Sequence, residues 1–345
     1  MKTRLLGKTP DELKQIAQEA GLPAFAGKQM AQWLYQKRVR SIDEMTNLSR
    51  QGREALSQKY EVGLALPVDV QTSVDGTRKY LFPVGGDATN AVEAVMIPDQ
   101  DRKTLCVSSQ AGCKMGCKFC MTGRQGFHGQ LSAADILSQF FGIEEAGELT
   151  NTVFMGMGEP LDNWDNVKRV IQVLTAPWGL AWSPKRVTLS TIGVLPNLRK
   201  YLEESKCHLA VSLHNPFPEE RAQMMPVQKA WSITEVVRLL RQYDFTGQRR
   251  VSFEYTLFEG WNDSPRHADE LLRLLRGLEC RVNLIRFHKI PDFPYGTAPD
   301  KVMEAFRDRL NAGGLTATIR ASRGEDIYAA CGLLAGKHAE NKNEL

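Results

Sequence analysis

Three cysteines lie within a stretch of eight residues, at Cys113, Cys117 and Cys120. Thiolate is the soft ligand that iron–sulfur units prefer, so three thiolates at this spacing can hold three iron corners of a cubane cluster. A closed cluster needs a fourth cysteine at comparable spacing, and none lies nearby in the sequence. The fourth iron would therefore be open to a small ligand, which indicates chemistry on a bound molecule beyond simple electron transfer.

Two other uses of these cysteines have to be weighed. A structural zinc site usually presents four Cys or His ligands, and only His128 is close enough in sequence to complete one here. A disulfide framework is typical of short exported chains, whereas this chain has 345 residues and no apolar signal segment at its start. The spacing favours the open cluster and leaves zinc as the alternative.

The composition is that of an ordinary soluble globular protein, with 42% hydrophobic and 24% charged residues. No apolar run approaches the ~20 residues that a membrane-spanning helix needs. Seven cysteines without an export signal predict a reducing compartment. We therefore expect a cytoplasmic protein without a membrane partner, and we expect it to be monomeric.

Positive charge is concentrated at the start of the chain. Residues 1–60 hold eleven Lys and Arg against six Asp and Glu, whereas the remaining 285 residues hold 33 basic and 34 acidic groups. A local excess of this kind is typical of a segment that binds phosphates, although a solvated helical face would look the same.

The same residues, 1–60, predict a small helical domain. Thr9 and Glu12 form a capping-box pattern around Pro10, which predicts a helix that ends at Gly21. Two further helices are predicted over residues 26–38 and 49–59. Together with the charge, this pattern predicts a basic helical domain. For a nucleic-acid substrate, this would be the domain that binds RNA.

Residues 61–100 change to a strand pattern and predict a short β extension. Asp75-Gly76 between two apolar segments is a hairpin signal. Residues 92–97 form another strand, which is apolar except for Glu93. An unpaired buried carboxylate is costly, so Glu93 indicates either a functional group or a salt bridge to a nearby arginine.

Residues 101–335 alternate short apolar strands with helical patterns, which predicts repeated βα units and a parallel sheet. The fold class is therefore α/β, with six units curled into a partial (β/α)6 barrel of the TIM type, a further strand near residues 316–320, and a polar tail at residues 336–345. The six strands are predicted near residues 104–108, 152–155, 186–190, 208–213, 251–257 and 282–286.

Unusual polar segments follow several of these strands. Active sites of parallel β/α barrels lie at the carboxyl ends of the strands, so the segments are expected to share one rim with the three cysteines. The most distinctive is Gly156-Met-Gly158-Glu159-Pro160. Two glycines and a carboxylate can hold an amino acid's ammonium group, although alone the segment would be read as a tight turn.

The motifs together resemble a known family. Cys-x-x-x-Cys-x-x-Cys followed by Gly-Met-Gly-Glu-Pro resembles the radical S-adenosylmethionine superfamily. Within it, the chain is similar to the RlmN-like RNA adenine-C2 methyltransferases over essentially its whole length, with the Cfr-like C8 methyltransferases as close relatives. The segments that carry this closer likeness are Cys106-Val-Ser-Ser-Gln, Thr188-Leu-Ser190-Thr, Ser212-Leu-His214, Asn283-Leu-Ile and Arg323-Gly-Glu-Asp-Ile-Tyr-Ala-Ala-Cys331-Gly.

The resemblance implies two cofactors and a role for each matching residue. Cys113, Cys117 and Cys120 would bind a [4Fe–4S] cluster, and S-adenosylmethionine would bind its open iron. The rest of the S-adenosylmethionine site would be formed by Gly158, Glu159, Ser190, Ser212, Leu213, His214 and His288. The family is expected to have an asparagine at the position of His288. An imidazole does not reproduce the paired hydrogen-bond donor and acceptor of the asparagine amide.

The resemblance also implies the mechanism. One S-adenosylmethionine would methylate Cys331, and the cluster would cleave a second to a 5′-deoxyadenosyl radical, which takes a hydrogen atom from that methyl group. The resulting carbon radical would add to the base, and Glu93 would accept the C2 proton. Cys106 would then attack the Cys331 sulfur, form a disulfide and release the methylated RNA.

The predicted function is therefore methylation of adenine C2 in 23S rRNA and in tRNA next to the anticodon, with flavodoxin or ferredoxin as the electron donor. A C8 methyltransferase of 23S rRNA is the close alternative, because Cys106, Cys331 and the cluster serve both reactions. A zinc-stabilised RNA-binding protein without catalysis is the alternative from another class.

Overall fold

The computed structural model describes residues 2–85 and 87–335, with the backbone alone for residues 87–89. The predicted polar tail, residues 336–345, lies outside the described residues. No helix in the described ranges is long and apolar enough to cross a bilayer.

The N-terminal part is mainly helical, as predicted. Its elements are β1 (Thr3–Arg4), α1 (Pro10–Glu19), α2 (Ala26–Ala31), α3 (Arg50–Lys59) and β2 (Tyr60–Glu61). The Glu12 amide donates to Thr9 Oγ1 at 3.3 Å and the Thr9 amide donates to Glu12 Oε2 at 2.6 Å, which confirms the predicted capping box.

The second predicted helix differs from the expectation in its last part. Its α-helical hydrogen bonding ends at Ala31, and a wider π-helical turn continues over Gln32–Gln36. At Gly27 a Cβ atom would lie 2.5 Å from the Lys14 amide nitrogen, so this helix approaches α1 backbone to backbone.

A hairpin and a long strand follow, in the order β3 (Asp69–Thr72), β4 (Arg78–Val84) and β5 (Asp87–Asp99). The predicted turn is confirmed: Gly76 has a φ of +83°, and the Ser73 amide donates to the Thr77 carbonyl at 2.8 Å. Strand β5 pairs antiparallel with β4 on one side and with the first barrel strand on the other.

The barrel part alternates strands and helices. Its elements are β6 (Arg102–Cys106), β7 (Gln110–Gly112), α4 (Met121–Arg124), β8 (Phe127–Gln130), α5 (Ala133–Phe141), β9 (Asn151–Phe154), α6 (Trp164–Thr175), β10 (Val187–Thr191), α7 (Leu195–Glu204), β11 (His208–Ser212), α8 (Pro218–Met224), α9 (Ile233–Leu240), β12 (Val251–Leu257), α10 (Pro265–Leu275), β13 (Arg281–Arg286), α11 (Asp300–Ala312) and β14 (Ala317–Ile319).

One ten-stranded sheet has the strand order β14-β13-β12-β11-β10-β9-β6-β5-β4-β3. Within this sheet the pairings that join β6, β9, β10, β11, β12, β13 and β14 are all parallel, whereas β7 and β8 form a separate antiparallel pair. Because successive parallel strands are neighbours, the chain winds in one direction, and the carboxyl ends of the strands meet at one rim. The predicted partial (β/α)6 barrel with a β extension is confirmed.

The N-terminal part packs against the outer helices of the barrel. Arg4 Nη1 lies 2.5 Å from Asp135 Oδ1 on α5, and Arg169 on α6 pairs with Glu12. A Cβ atom at Gly7 would lie 2.9 Å from the Ala133 side chain. The basic helices are therefore held beside the barrel rather than on a loose tether.

Candidate active site

A cavity opens at the carboxyl-terminal rim of the parallel strands. It is lined from the ends of β9, β10, β11, β12 and β13, from the loop that carries the three cysteines, and from the C-terminal segment. The predicted site residues that line it are Cys113, Cys117, Cys120, Gly158, Glu159, Ser190, Ser212, His214 and Cys331.

The three-cysteine loop is held by glycines that permit close backbone approach. Gly112 has a φ of +68°, and a Cβ atom there would lie 2.0 Å from the Gly126 carbonyl oxygen. The Cys113 amide donates to the same carbonyl at 2.7 Å. At Gly123 a Cβ atom would lie 2.8 Å from the Cys117 carbonyl oxygen, so the loop folds tightly over itself.

The three thiols interact with one another inside the cavity. Burial raises the pKa of Cys113 to about 12, and the neighbouring Glu159 and Cys120 act in the same direction. Burial also raises the pKa values of Cys117 and Cys120. Crowded thiols of this kind become thiolates when they bind a positively charged metal centre, so the donor set fits an iron–sulfur cluster.

The zinc alternative finds less support in the geometry. Within residues 2–85 and 87–335, no group of three or more His, Cys, Asp or Glu side chains is placed to hold a single metal ion. A four-iron cluster is wider than one ion, and each cysteine binds a different iron, so its ligands need not converge on one point.

The Gly156–Glu159 turn packs directly on the segment after β6. A Cβ atom at Gly158 would lie 2.5 Å from Gln110 Cβ, and Gly158 has a φ of +94°. The Glu159 amide donates to Gln110 Oε1 at 2.8 Å, and the Met157 amide donates to Ser108 Oγ at 2.8 Å. These contacts explain the two glycines and fix the turn at the rim.

Glu159 joins the ends of β9 and β10. Its carboxylate accepts hydrogen bonds from the Leu161 amide at 3.1 Å and the Ile192 amide at 3.0 Å. Burial raises the pKa of Glu159 to about 7, against the opposing effect of these donors and of Thr191. A buried carboxylate with a raised pKa favours a positively charged partner, such as an ammonium group.

His214 occupies a constrained position after β11. It has a φ of +54°, its Nδ1 accepts from the Thr256 amide at 3.0 Å, and its ring contacts Phe119 of the three-cysteine loop at 4.9 Å between centroids. Burial and the nearby Arg221 lower the pKa of His214 to about 3, so the imidazole is neutral. Because Nδ1 accepts, Nε2 carries the proton.

The C-terminal segment crosses the three-cysteine loop and reaches Glu93. The Met121 amide donates to the Gly332 carbonyl at 2.8 Å, and Thr122 Oγ1 donates to the Leu334 carbonyl at 2.8 Å. The Ala335 amide donates to Glu93 Oε2 at 2.7 Å. The segment that begins at Cys331 therefore contacts both the three-cysteine loop and Glu93.

Cys331 lies at the opening of the cavity, where the residue is exposed. Although the residue as a whole is exposed, burial of its thiol raises the pKa of Cys331, and the charge of Glu254 acts in the same direction. Burial raises the pKa of Cys106 to about 12, and Cys331 contributes in the same direction. The two thiols are thus close enough to influence each other, and both are free in the structure.

The sheet register places Glu93 and Cys106 on one face. Val95 of β5 is opposite both Lys79 of β4 and Cys106 of β6, and Glu93 is two residues from Val95. Lys79 Nζ lies 2.9 Å from Glu93 Oε1, and both side chains are less than 10% exposed. The salt bridge considered for Glu93 therefore exists, and its partner is a lysine instead of an arginine.

Four predicted site residues are not among the described residues that line the cavity: Glu93, Cys106, Leu213 and His288. Leu213 is buried and its backbone carbonyl accepts from Arg221 at 3.0 Å. His288 Nε2 lies 3.0 Å from Ser322 Oγ, and its Nδ1 lies 3.2 Å from Glu325 Oε1. His288 thus contacts the segment that leads to Cys331.

The sequence analysis assigned no site role to three buried polar residues near this site. Lys79 follows a turn and Arg221 lies on a short polar helix, so both resemble surface residues in the sequence. Glu254 lines the cavity, and it accepts from Asn283 Nδ2 at 2.7 Å and from Ser252 Oγ at 2.9 Å. Glu254 could have been recognised as a candidate site residue, because it is an acidic residue inside the otherwise apolar strand at residues 251–257.

The β3–β4 hairpin anchors the segment that carries Cys331. Asp326 accepts from Ser73 Oγ at 2.5 Å and from the Val74 amide at 3.2 Å, and Asp75 accepts from the Gly324 amide at 3.0 Å. Although burial opposes it, hydrogen bonding from Thr77 and Gly324 lowers the pKa of Asp75 to about 2. Because the pKa of Asp75 is lowered, its hydrogen bonds stabilise the fold fully at pH values above 3.8, the ordinary pKa of the group. This stabilisation is lost as the pH falls towards about 2.

We expect the double substitution Asp75→Ala and Asp326→Ala to release the segment. Amide hydrogen exchange at residues 324–335 should accelerate by about tenfold or more at neutral pH, because the hydrogen bonds that hold the segment are gone. The RNA methylation that the family resemblance implies should fall by a similar factor. Asp43→Ala, at an exposed site in the N-terminal part, is the control; unchanged exchange in the double variant would contradict the anchoring role.

Comparisons with known proteins agree with this geometry. Residues 107–274 match the model of the radical SAM superfamily, and residues 3–62 match that of the ribosomal RNA large subunit methyltransferase N-terminal domain. The chain is 58% identical over 340 residues to a protein of Porphyromonas gingivalis named probable dual-specificity RNA methyltransferase RlmN, with 99% of both chains covered.

Two further relatives extend the likeness. A protein of Syntrophus aciditrophicus named dual-specificity RNA methyltransferase RlmN is 40% identical, with 96% of both chains covered. The crystal structure of a radical SAM methyltransferase from Sphaerobacter thermophilus superposes with a TM-score of 0.91 at 37% identity, covering 97% of this chain and all of the other.

The curved parallel sheet, the three-cysteine loop and this structural match define a radical SAM methyltransferase. Within that class, the identity over nearly the whole chain is decisive. The chain belongs to the RlmN family of RNA methyltransferases.

Proposed function

We propose that this enzyme methylates C2 of adenine in 23S rRNA and in tRNA, including the adenine next to the anticodon. The observation that carries the proposal is the course of the C-terminal segment, which holds Cys331 at the cavity of the three cysteines and touches Glu93 through Ala335. The proposed methyl carrier and the proposed proton acceptor would thereby be linked by the short segment 331–335.

The target carbon explains why this apparatus is needed. C2 of adenine is an electron-poor aromatic carbon without a nucleophilic lone pair, so direct transfer of a methyl group from a sulfonium is not accessible. A radical that adds to the ring avoids this difficulty, and the cofactors carry that step while the protein positions the reactants.

The cavity residues fit the two cofactors of the superfamily. Cys113, Cys117 and Cys120 would hold the [4Fe–4S] cluster, and when bound the cluster supplies the electron that cleaves S-adenosylmethionine. Glu159 would accept from its ammonium group, beside the close backbone of Gly158. The remaining contacts would come from the rim residues Ser190, Ser212, Leu213 and His214, with Leu213 acting through its backbone.

We propose that His288 acts on the S-adenosylmethionine site indirectly, through the segment that leads to Cys331. Its ring contacts Ser322 and Glu325, and these residues precede Cys331 by less than ten positions. The side chain would therefore position the methyl-carrier segment, a role that an imidazole with two ring nitrogens can serve through two separate partners.

The two remaining cysteines would act in sequence on the methyl group. The Cys331 sulfur accepts the methyl group, and its carbon becomes bonded to C2 of the base. Cys106 then attacks the Cys331 sulfur as a thiolate and forms the disulfide as the carbon–sulfur bond breaks. The carbon keeps the electron pair of that bond and takes up a proton, which completes the methyl group. The influence of Cys331 on the pKa of Cys106 supports their proximity, which the disulfide requires.

Glu93 would accept the proton that leaves C2. A proton acceptor must be ionised and must lie beside the reacting atom. Lys79 supplies a positive charge 2.9 Å from Oε1 of Glu93, whose side chain is only 3% exposed. The Ala335 amide holds the second carboxylate oxygen in place.

The RNA would be bound through the N-terminal part and presented as an unpaired base. C2 faces the minor groove of a duplex, so the adenine must be extruded or already single-stranded to enter the cavity. We propose residues 1–60 as the RNA-binding domain, residues 61–100 as its β extension and residues 101–335 as the catalytic barrel. The enzyme would act as a cytoplasmic monomer that receives electrons from flavodoxin or ferredoxin.

Mass spectrometry of nucleosides tests the substrate directly. Separated 23S rRNA and tRNA from cells with and without the gene should differ in 2-methyladenosine, against authentic standards. Gene-dependent 8-methyladenosine would instead establish the C8 alternative. Absence of both nucleosides, with the protein expressed and its cluster intact, would remove the proposed substrate.

A further inference from the structure

Arg221 of α8 is completely buried beneath the cavity. Its guanidinium donates to the Leu213 carbonyl at 3.0 Å, the Ser212 carbonyl at 2.9 Å and the Ile192 carbonyl at 3.3 Å. A fourth hydrogen bond runs to Gln228 Oε1 at 2.6 Å. All four acceptors are uncharged, so these bonds orient the guanidinium without neutralising it.

The charge of Arg221 has no protein counter-ion in the described part of the chain. No carboxylate there lies within 4.0 Å of the guanidinium; Glu220, its neighbour in sequence, instead pairs with Arg266 and His267. An isolated buried charge is costly, and arginine cannot escape the cost by losing its proton at neutral pH. The missing negative charge is therefore expected from a bound group.

The surroundings of Arg221 identify where that charge would be. Ile192 and Ser212, whose carbonyls it binds, line the cavity. The Lys118 amide donates to the Met224 carbonyl at 3.0 Å, which fixes the end of α8 against the three-cysteine loop. Cys117 lines the same cavity as Ile192 and Ser212.

We propose that Arg221 is the buried counter-charge of the iron–sulfur cluster and raises its reduction potential. The proposal rests on the cluster site proposed above. Three thiolates outweigh the positive charge of the iron–sulfur core, and reduction adds one more negative charge. A fixed positive charge in a low-dielectric interior stabilises the reduced form more than the oxidised form, which makes the cluster easier to reduce.

Gln228 offers a test that leaves Arg221 in place. Gln228 Oε1 accepts from Arg221 and from the Ile233 amide at 3.0 Å, and both donors would also be satisfied by a carboxylate. Gln228→Glu therefore compensates the guanidinium with an almost unchanged side-chain shape. Arg221→Met removes the charge, Arg221→Lys keeps it, and Lys229→Gln removes an exposed charge from the adjacent position.

The measurement is a redox titration of the reconstituted cluster in the full-length protein, followed by electron paramagnetic resonance. At a fixed ambient potential, the ratio of reduced to oxidised cluster should fall by about tenfold or more in Arg221→Met and in Gln228→Glu. Arg221→Lys should stay near the parent protein, and Lys229→Gln should match it, because an exposed charge is screened.

Unchanged potentials in Arg221→Met and Gln228→Glu with full iron content would overturn the counter-charge role and leave the cluster site standing. If the neutral variant loads less iron, Arg221→Lys should restore the iron content; failure to restore it would replace the electrostatic role with one of packing. A parent protein that assembles no cluster would instead overturn the proposed site itself.

Discussion

Replacing Cys331 with alanine is expected to lower RNA methylation by more than about 10³-fold, the scale of losing a covalent nucleophile. Cleavage of S-adenosylmethionine should continue, because Cys331 is not among the three cysteines proposed to bind the cluster. The measurement pairs two assays on the same anaerobic protein: formation of 2-methyladenosine, and release of methionine in the presence of a chemical reductant.

Cys207→Ala is the matched control for this substitution. Cys207 is a buried free cysteine just before β11, and its amide donates to Ser205 Oγ at 3.1 Å, away from the cavity lining. Its replacement should leave the formation of 2-methyladenosine and the release of methionine unchanged. The stability of the protein should fall modestly. Methylation that survives in Cys331→Ala would show that the methyl group reaches the RNA by another route.

The substitution Lys79→Met should have the second largest effect, on stability as well as on activity. It leaves Glu93 buried opposite an apolar side chain, and breaking a buried ion pair in this way costs about 3–5 kcal/mol. Methylation should fall as well, because Lys79 no longer holds the Glu93 carboxylate in position. Urea unfolding and RNA methylation at neutral pH measure the two consequences.

Two variants separate the roles of this pair. Lys79→Met combined with Glu93→Gln removes both charges, so it should recover much of the stability without recovering methylation. Lys103→Met disrupts the exposed Lys103–Glu148 pair beside β6 and should cost under about 1 kcal/mol. Full activity in Lys79→Met would mean that Glu93 does not need Lys79 as its partner.

Local signals in the sequence predicted most of the fold. The capping box at Thr9, the Asp75-Gly76 turn and the alternating strand pattern depend on neighbouring residues, and all are present in the structure. The strand order could also be anticipated, because parallel βα units place consecutive strands side by side. The π-helical turn at Gln32–Gln36 was not anticipated, since no local residue type specifies it.

The candidate site was predictable where residue type and spacing are distinctive. Three cysteines and a Gly-x-Gly-Glu turn at successive strand ends indicated one rim, and the structure brings them to one cavity. Lys79 and Arg221 could not be recognised, because burial of a lysine or arginine depends on partners distant in the sequence. Gln228 could not be recognised either, because its relevance depends on the hydrogen bond that it accepts from Arg221.

The central claim is that the methyl group passes through Cys331, and isotope transfer tests it most directly. Protein with a reconstituted cluster would be incubated with S-adenosylmethionine carrying a deuterated methyl group, freed of excess cofactor, and then allowed one turnover on RNA with unlabelled S-adenosylmethionine. Peptide and nucleoside mass spectrometry should find deuterium first on Cys331 and then in 2-methyladenosine. Methylated RNA without deuterium, from protein that carried the label on Cys331, would contradict the account.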